Sequence, residues 1–558
     1  MKLIHLFTII LLFATSSLSA QDSLTQRYNP NDHGLHLVEF TDKQGTPFSV
    51  FRPHEFLSAA ALARRERMSV VIDELDLPVN PAYIQQVLAM GVGLQNTSKW
   101  LNAIAIQTKD VTLLAKIDQL PFVQSVKPLG KVRPVSEIEN LRTPPKVDLS
   151  KHKESYYGEG LNQVRMLGGD ALHDLGYTGE GVVVAVFDGG FVNVPTMPVF
   201  DRLQEENRLL GTKDFVEGDS YVFEASGHGT NVLSCMAAKS PYFLVGTAPD
   251  ASYYLFKTED VKGEFRTEEM NWVAALEYAD SIGVEVVNSS LGYTGFNDTT
   301  MSYKYEELDG KTAYITRGAE IGSQKGILVV NSAGNEGSGS WHYIGAPADA
   351  PSVLSIAAVR GDGKRASFSS WGPTIDGRIK PDIAAQGLST VVSSMTKYKV
   401  TRTSGTSFSS PVMAGMVASL KQAFPDTDAD HLRAMIKQSG TQSTEPDSSL
   451  GYGIPNYFVA YLLLSEATVV VDHTNSIFTT FQTVDKSLNI VLEQKQLSDV
   501  SITLYNRLGQ VQYELQTLLQ PNQVKEFKIP DLEMLSPDVY TLKLVVDGTA
   551  HYLPIWKE

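Results

Sequence analysis

Between residues 157 and 465 the chain alternates short, unbroken apolar runs with segments of helical period. Val182–Phe187 (VVVAVF) is the clearest run, and Val284–Leu291, Ile327–Ser332 and Val353–Val359 are of the same kind. A strand with one wet face alternates apolar and polar residues, so a run that is apolar throughout is covered on both faces. Between two of these runs, Trp272, Ala275, Leu276 and Ala279 fall on one face of a helix. This alternation predicts an α/β architecture: a parallel sheet with helices on both faces.

The flanks follow other rules. Within residues 21–130, Trp100–Thr108 alternates in part, Val111–Leu120 fits a short helix and Phe122–Pro128 a returning strand, the pattern of a small α+β unit. Residues 131–156 are polar, broken by Pro134, Pro144 and Pro145, and read as an exposed linker. Residues 466–558 carry short β-rich runs, among them Val469–Asp472, Ile490–Leu492, Ser501–Tyr505 and Tyr540–Val546, punctuated by Gly509, Pro521 and Pro537. That pattern predicts a small antiparallel β-sandwich.

At the start, Lys2, the apolar run Leu3–Ala14 and small residues up to Ala20 have the order of a secretory signal peptide over residues 1–20. The apolar run is too short to span a bilayer comfortably. Export to the medium or the cell surface is the expectation. A formal charge of −16 disfavours nucleic acid as a partner. The single cysteine, Cys235, excludes an intramolecular disulfide and a multi-cysteine metal site, and a buried, small apolar role is expected for it.

Three clusters in the middle block carry chemistry. Asp188-Gly189-Gly190 directly follows the first apolar strand, and ligands of open parallel sheets sit at strand carboxyl ends. Gly227-His228-Gly229-Thr230 opens an apolar helix, with glycines that let backbone approach the imidazole closely. Gly405-Thr406-Ser407-Phe408-Ser409-Ser410-Pro411 precedes a helix of small apolar residues, with Pro411 expected in its first turn. Each has an ordinary structural explanation alone, such as a turn, a loop histidine or a helix cap. Together they supply a nucleophile, a base and an orienting acid in the order Asp, His, Ser.

With these segments in hand the sequence resembles the subtilisin-like serine proteases, the subtilases, over about residues 157–465. The matching stretches are VVVAVFDGG, GHGTNV, NSAGNEG and GTSFSSP, with a further match at Gly246-Thr247-Ala248-Pro249. The resemblance implies a serine endopeptidase acting on protein or peptide substrates through an acyl-enzyme. Ser407 is the implied nucleophile, His228 the general base and Asp188 its orienting partner. Asn335 is the implied side-chain donor of the oxyanion hole, with the Ser407 backbone N–H beside it. Ser290-Leu291-Gly292 resembles the segment that pairs with an extended substrate, and Ala333 and Gly334 a wall of the primary specificity pocket. No cofactor is implied for the chemistry, and structural calcium is left open with no residues assigned to it; no metal site is expected.

The outer blocks carry weaker resemblances. Residues 21–130 are similar to subtilase prodomains, with Lys99-Trp100-Leu101-Asn102 the most recognisable stretch. Residues 466–558 are similar to sorting domains of type IX secretion cargo, through Tyr505-Asn506-Arg507-Leu508-Gly509-Gln510 and Val539-Tyr540-Thr541-Leu542-Lys543-Leu544. A glycine is usual before the Val-Tyr pair, where this chain has Asp538. The chain's own prodomain and the secretion machinery are therefore implied partners. Asp426, Asp428 and Asp430 have the spacing that opens a calcium loop, but His431 and Lys437 stand where Gly and Glu are needed. They read as acidic residues at a helix start. The alternative function is a silent, surface-displayed binding protein on the same scaffold. The intact Asp188, His228, Ser407 and Asn335 favour the enzyme.

Overall fold

The computed structural model describes residues 34–130, 155–394 and 399–465, and most of 470–557 strand by strand. The signal-peptide reading, nearly all of the linker and residues 506–510 of the sorting-domain motif lie outside the described residues. The chain forms two compact units. One runs to Leu167 and includes Tyr177–Pro455; the other holds Gly168–Gly176 and the chain from Asn456.

The first unit opens with a four-stranded antiparallel sheet in the order β2-β3-β1-β4: β1 Leu35–Phe40, β2 Gly93–Ser98, β3 Ala103–Gln107 and β4 Val123–Gly130. Its helices are α1 Ala59–Arg67, α2 Pro81–Leu88 and α3 Val111–Asp118. Asp110 caps α3 by accepting from the amides of Thr112 and Leu113. The strand expected from Trp100 begins only at Ala103. Ser98 Oγ accepts from the Leu101 amide and Asn102 takes φ 48°, so residues 99–102 make a turn instead.

The second sheet of this unit has seven parallel strands: β5 Val183–Asp188, β6 Leu209–Asp214, β7 Ser252–Lys257, β8 Val286–Ser289, β9 Leu328–Ser332, β10 Leu354–Val359 and β11 Ile383–Gln386. Their order is β11-β10-β9-β8-β5-β7-β6. The predicted apolar runs are its central strands. Ala185, Phe187, Val287 and Val329 face one way, into a core with Trp272, Leu276, Ile315 and Ala319. Those helical residues belong to α5 (Arg266–Ile282) and α6 (Tyr314–Gln324); Val184, Val186, Val286 and Val330 point to the opposite face of the sheet and are equally buried. Helix α4 (His228–Ala237) packs on β5, and α7 (Thr406–Ala423) on β8–β11. Helix α7 is buried from Thr406 to Lys421, which explains why its sequence is nearly all small or apolar.

Pro411 lies well inside α7 rather than in its first turn. A proline there removes the amide that would bond the carbonyl of residue 407. Ser290 Oγ donates to that carbonyl at 2.9 Å and replaces the lost bond. Asp428 caps α8 (Ala429–Gln438) by accepting from the His431 amide, so the aspartate group serves a helix start. Cys235 is fully buried.

The second unit has two antiparallel four-stranded sheets. One has the order β12-β13-β14-β17 (Val470–Asp472, Ile477–Gln482, Ser487–Glu493, Val524–Ile529). The other has the order β16-β15-β18-β19, with β15 Ser498–Tyr505, β16 Val511–Leu519, β18 Asp538–Val546 and β19 Thr549–Lys557. No described helix is long and apolar enough to cross a membrane.

The core account predicts a large effect at Trp272. Its indole packs edge-on against Phe187 at 5.6 Å, and Nε1 donates to Ser289 Oγ at 2.9 Å. Trp272→Ala should cost about 3–5 kcal/mol. Urea unfolding in a Ser407→Ala background, where self-digestion cannot interfere, measures it.

Candidate active site

The strand order reverses around β5. The chain passes from β5 to β7 and β6 on one side, then crosses to β8–β11 on the other. At such a switch point the strand ends part and leave a crevice. Asp188 is the last residue of β5, and Ser290 follows the last residue of β8. The two therefore stand at the crevice because of the topology, before any side-chain detail.

Asp188 is 1% exposed, and its Oδ1 accepts from the Gly189 amide at 2.8 Å. His228, the first residue of α4, places Nδ1 2.8 Å and 3.0 Å from the two carboxylate oxygens. An ionised carboxylate only accepts, so the proton sits on Nδ1 and Nε2 is left with a lone pair. Gly229, next to His228, is needed at this range. A Cβ on Gly229 would come within 2.5 Å of the Gly190 carbonyl and 2.8 Å of Asp188 Cβ. The Asp188 carboxylate raises the His228 pKa above its ordinary value, against the opposing effect of burial.

Ser407 is the second residue of α7, where an amide has no acceptor one turn before it. Its Oγ donates to the Ser290 carbonyl at 3.3 Å, and Phe408 sets its ring 5.5 Å from the His228 ring. Asn335 is exposed on the loop after β9. Its Oδ1 accepts from the Thr406 amide (2.9 Å) and from Thr406 Oγ1 (3.1 Å). The amide N–H of Thr406 is donor-only, which fixes which end of the Asn335 side chain is oxygen. The Nδ2 group is left as a donor. Thr406 Oγ1 also accepts from the Gly334 amide at 3.2 Å, so one threonine ties the 333–335 loop to the nucleophile's helix.

Ala333 is fully buried against Ile344 and Ala348, and Gly334 is half-buried. Leu291 is half-buried and Gly292 exposed; the Leu291 carbonyl accepts from Asn331 Nδ2 at 2.9 Å. All nine expected site residues thus come from the ends of β5, β8 and β9 and the starts of α4 and α7.

Two groupings were not anticipated from sequence. The first is Thr406 with Ser290, the latter expected only to pair with substrate. Their roles depend on a contact 71 and 117 residues away respectively. The second grouping is acidic. The loop after β7 folds back on the start of α5 and brings Glu259, Glu264 and Glu268 within 4.8 Å of one another. Burial pushes the pKa of each upward. Glu259 accepts from Tyr293 and Thr258, and Glu268 from the amides of Asp260 and Phe265. An E-x4-E-x3-E spacing matches no known ligand loop and gave no signal.

The electrostatics can be checked directly. In Ser407→Ala protein, an NMR titration of the His228 ring should give a pKa above about 6.5. Asp188→Asn should bring it down. An unshifted His228 would contradict the geometry.

Known proteins resemble the chain over both its peptidase and its propeptide regions. A profile described as the Subtilase family matches residues 179–453, and one for the Peptidase S8 propeptide domain of Bacteroidota matches residues 35–142. The thermostable alkaline protease of Halalkalibacterium halodurans is 28% identical over 351 residues, which cover 62% of this chain and 85% of that protein. Subtilisin DY of Bacillus licheniformis is 30% identical over 280 residues, 50% of this chain and 90% of the relative. Among solved structures, fervidolysin from Fervidobacterium pennivorans, a keratinolytic enzyme related to subtilisin, superposes with a TM-score of 0.53. That match covers 94% of this chain and 91% of the other at 15% identity, and speaks for the fold alone. The chain belongs to the subtilase family: it is a subtilisin-like serine endopeptidase with an N-terminal propeptide domain.

Proposed function

We propose that the chain is an exported zymogen whose peptidase domain hydrolyses peptide bonds through Asp188, His228 and Ser407. The observation that carries this reading is the pairing of His228 Nδ1 with both oxygens of Asp188. It orients the imidazole and leaves Nε2 basic. Rotation of the Ser407 hydroxyl off the Ser290 carbonyl, its weak partner at 3.3 Å, turns it to Nε2; such bonds commonly tighten only with substrate bound.

In the first half-reaction Ser407 Oγ attacks the scissile carbonyl carbon while its proton passes to His228 Nε2. The imidazolium that forms lies against the buried Asp188 carboxylate. The carbonyl oxygen becomes an oxyanion and accepts from Asn335 Nδ2 and the Ser407 N–H. Collapse of the tetrahedral intermediate breaks the C–N bond, and the amine leaves with the proton from His228. Water repeats the sequence on the acyl-enzyme and restores Ser407. This chemistry uses side chains and one water and calls for no cofactor. Ser290-Leu291-Gly292 receives the substrate backbone, and Ala333-Gly334 walls the pocket for its side chain.

The outer blocks complete the reading. Residues 1–20 direct export, the linker 131–156 is the maturation site, and 466–558 act as a type IX sorting domain read by the secretion machinery. A form ending near Ser465 should keep catalysis but stay in the periplasm of a host with that system. Equal extracellular activity from both forms would remove the sorting role.

Ser407→Ala should abolish peptide hydrolysis, leaving at most roughly 10³–10⁴ over water from binding and the oxyanion hole. Near-native turnover in that variant sinks the triad and favours a silent scaffold with a contaminating protease. Asn335→Ala should lower kcat by about 10²–10³ with little change in KM. The pH profile follows from the raised His228 pKa. The base is lost as pH falls, so kcat/KM should drop on the acid side with a midpoint above about 6.5. A flat profile between about pH 5 and 9 on a stable fold contradicts His228 as base.

A further inference from the structure

Residues 41–80 form an arm between β1 and α2 that reaches beyond the propeptide sheet. The sheet meets the peptidase domain through Leu35, Leu37, Ala103, Ala105 and Leu129, which cluster around Met270 of α5. The arm meets it differently. Helix α1 sits at the carboxyl end of α5, where Ser58 donates its amide to the Ser281 carbonyl at 2.8 Å. A Cβ on Gly283 (φ 93°) would lie 2.8 Å from Ala60 Cβ, so the arm and the α5–β8 turn are in direct contact.

The electrostatics of that end are unusual. Helix α5 carries Glu277 and Asp280 in its final turns and no basic residue there. Carboxylates at the negative end of a helix are unfavourable unless paired. Every pairing cation comes from the propeptide domain. Asp280, fully buried, receives Arg64 Nη2 at 2.5 Å, Arg65 Nη2 at 2.8 Å and Lys99 Nζ at 3.1 Å. Arg64 Nη1 also donates to the Val284 carbonyl at 2.6 Å. Both guanidinium groups are 1% exposed. Arg65 continues to Asp76 of the arm at 2.7 Å, and Asp76 meets Lys325, just past α6, at 2.9 Å. The charges therefore alternate across the contact: peptidase Asp280, arm Arg65, arm Asp76, peptidase Lys325.

We propose that the arm is a latch: Arg64 and Arg65, seated on Asp280, hold the propeptide domain on the peptidase domain after the chain between them is cut. Withdrawal of the arm takes two of the three cations from Asp280 and parts both arginines from that carboxylate at once. Removing one partner while the other stays buried leaves an uncompensated charge, so a substitution on either side of the contact should loosen it. The apolar sheet contact resists separation in a graded way, whereas this network lets go only as a unit. The inference rests on the zymogen reading above for its biological meaning, but its test does not depend on catalysis.

The test uses full-length Ser407→Ala protein nicked by trypsin, for which residues 131–154 offer Arg142, Lys146, Lys151 and Lys153. Gel filtration and a dilution time course then follow release of the N-terminal fragment. With the native arm, the fragment should stay with the peptidase. Arg64→Met with Arg65→Met, and separately Asp280→Asn, should release it at least about tenfold faster. Arg67→Ala, which removes a rim pair to Glu285, should change release by less than about twofold. Release at the native rate from folded double variants overturns the latch. If the double variant does not fold, hydrogen exchange on the nicked native protein decides instead. Amides of α1 should stay as protected as in the uncut chain, and free exchange in α1 with the sheet still protected overturns the proposal. Self-cleavage of the Ser407→Ala chain before trypsin is added would count against the triad, not the latch.

Discussion

The proposed chemistry depends on one buried carboxylate held at the end of a strand. Asp188 closes β5, accepts from the next amide in the chain and presents both oxygens to His228. The position is imposed by topology, because β5 is the strand at which the sheet order reverses. Gly229 beside His228 and Gly190 after Asp188 then allow backbone to close to a distance that a side chain would prevent.

A second junction sets Ser407, the proposed nucleophile. Pro411 denies α7 one backbone bond, and Ser290, at the end of β8, fills the vacancy on the Ser407 carbonyl. Thr406 does the equivalent for the 333–335 loop, fixing Asn335 by its oxygen and leaving its nitrogen as a donor. Helix α7 is thus stitched by side chains to the residues after two different strands.

Much of this was legible in the sequence. Val182–Phe187 announced a strand buried on both faces, and the helix face of Trp272, Ala275, Leu276 and Ala279 is fully buried as its spacing predicts. The motifs at Asp188, His228, Asn335 and Ser407 each lie at an element boundary, where local residue chemistry is strongest. What was not legible depends on contacts between distant residues. The Glu259–Glu264–Glu268 grouping and the arm at 41–80 have no period or motif of their own, and the motifs at 99–102 and 405–411 do not reveal the turn or the depth of Pro411 in α7. Arg64 and Arg65 read as ordinary helix-end cations until Asp280, more than 200 positions later, is brought beneath them.

The central claim is that Ser407 is an activated nucleophile and not a helix cap. A serine-reactive phosphonate probe tests it most directly, with mass spectrometry to map the adduct after propeptide removal. The account predicts stoichiometric modification at Ser407 that disappears when His228 is replaced by alanine in a protein that still folds. An unlabelled Ser407 in folded, propeptide-free protein, or labelling that survives loss of His228, would contradict it.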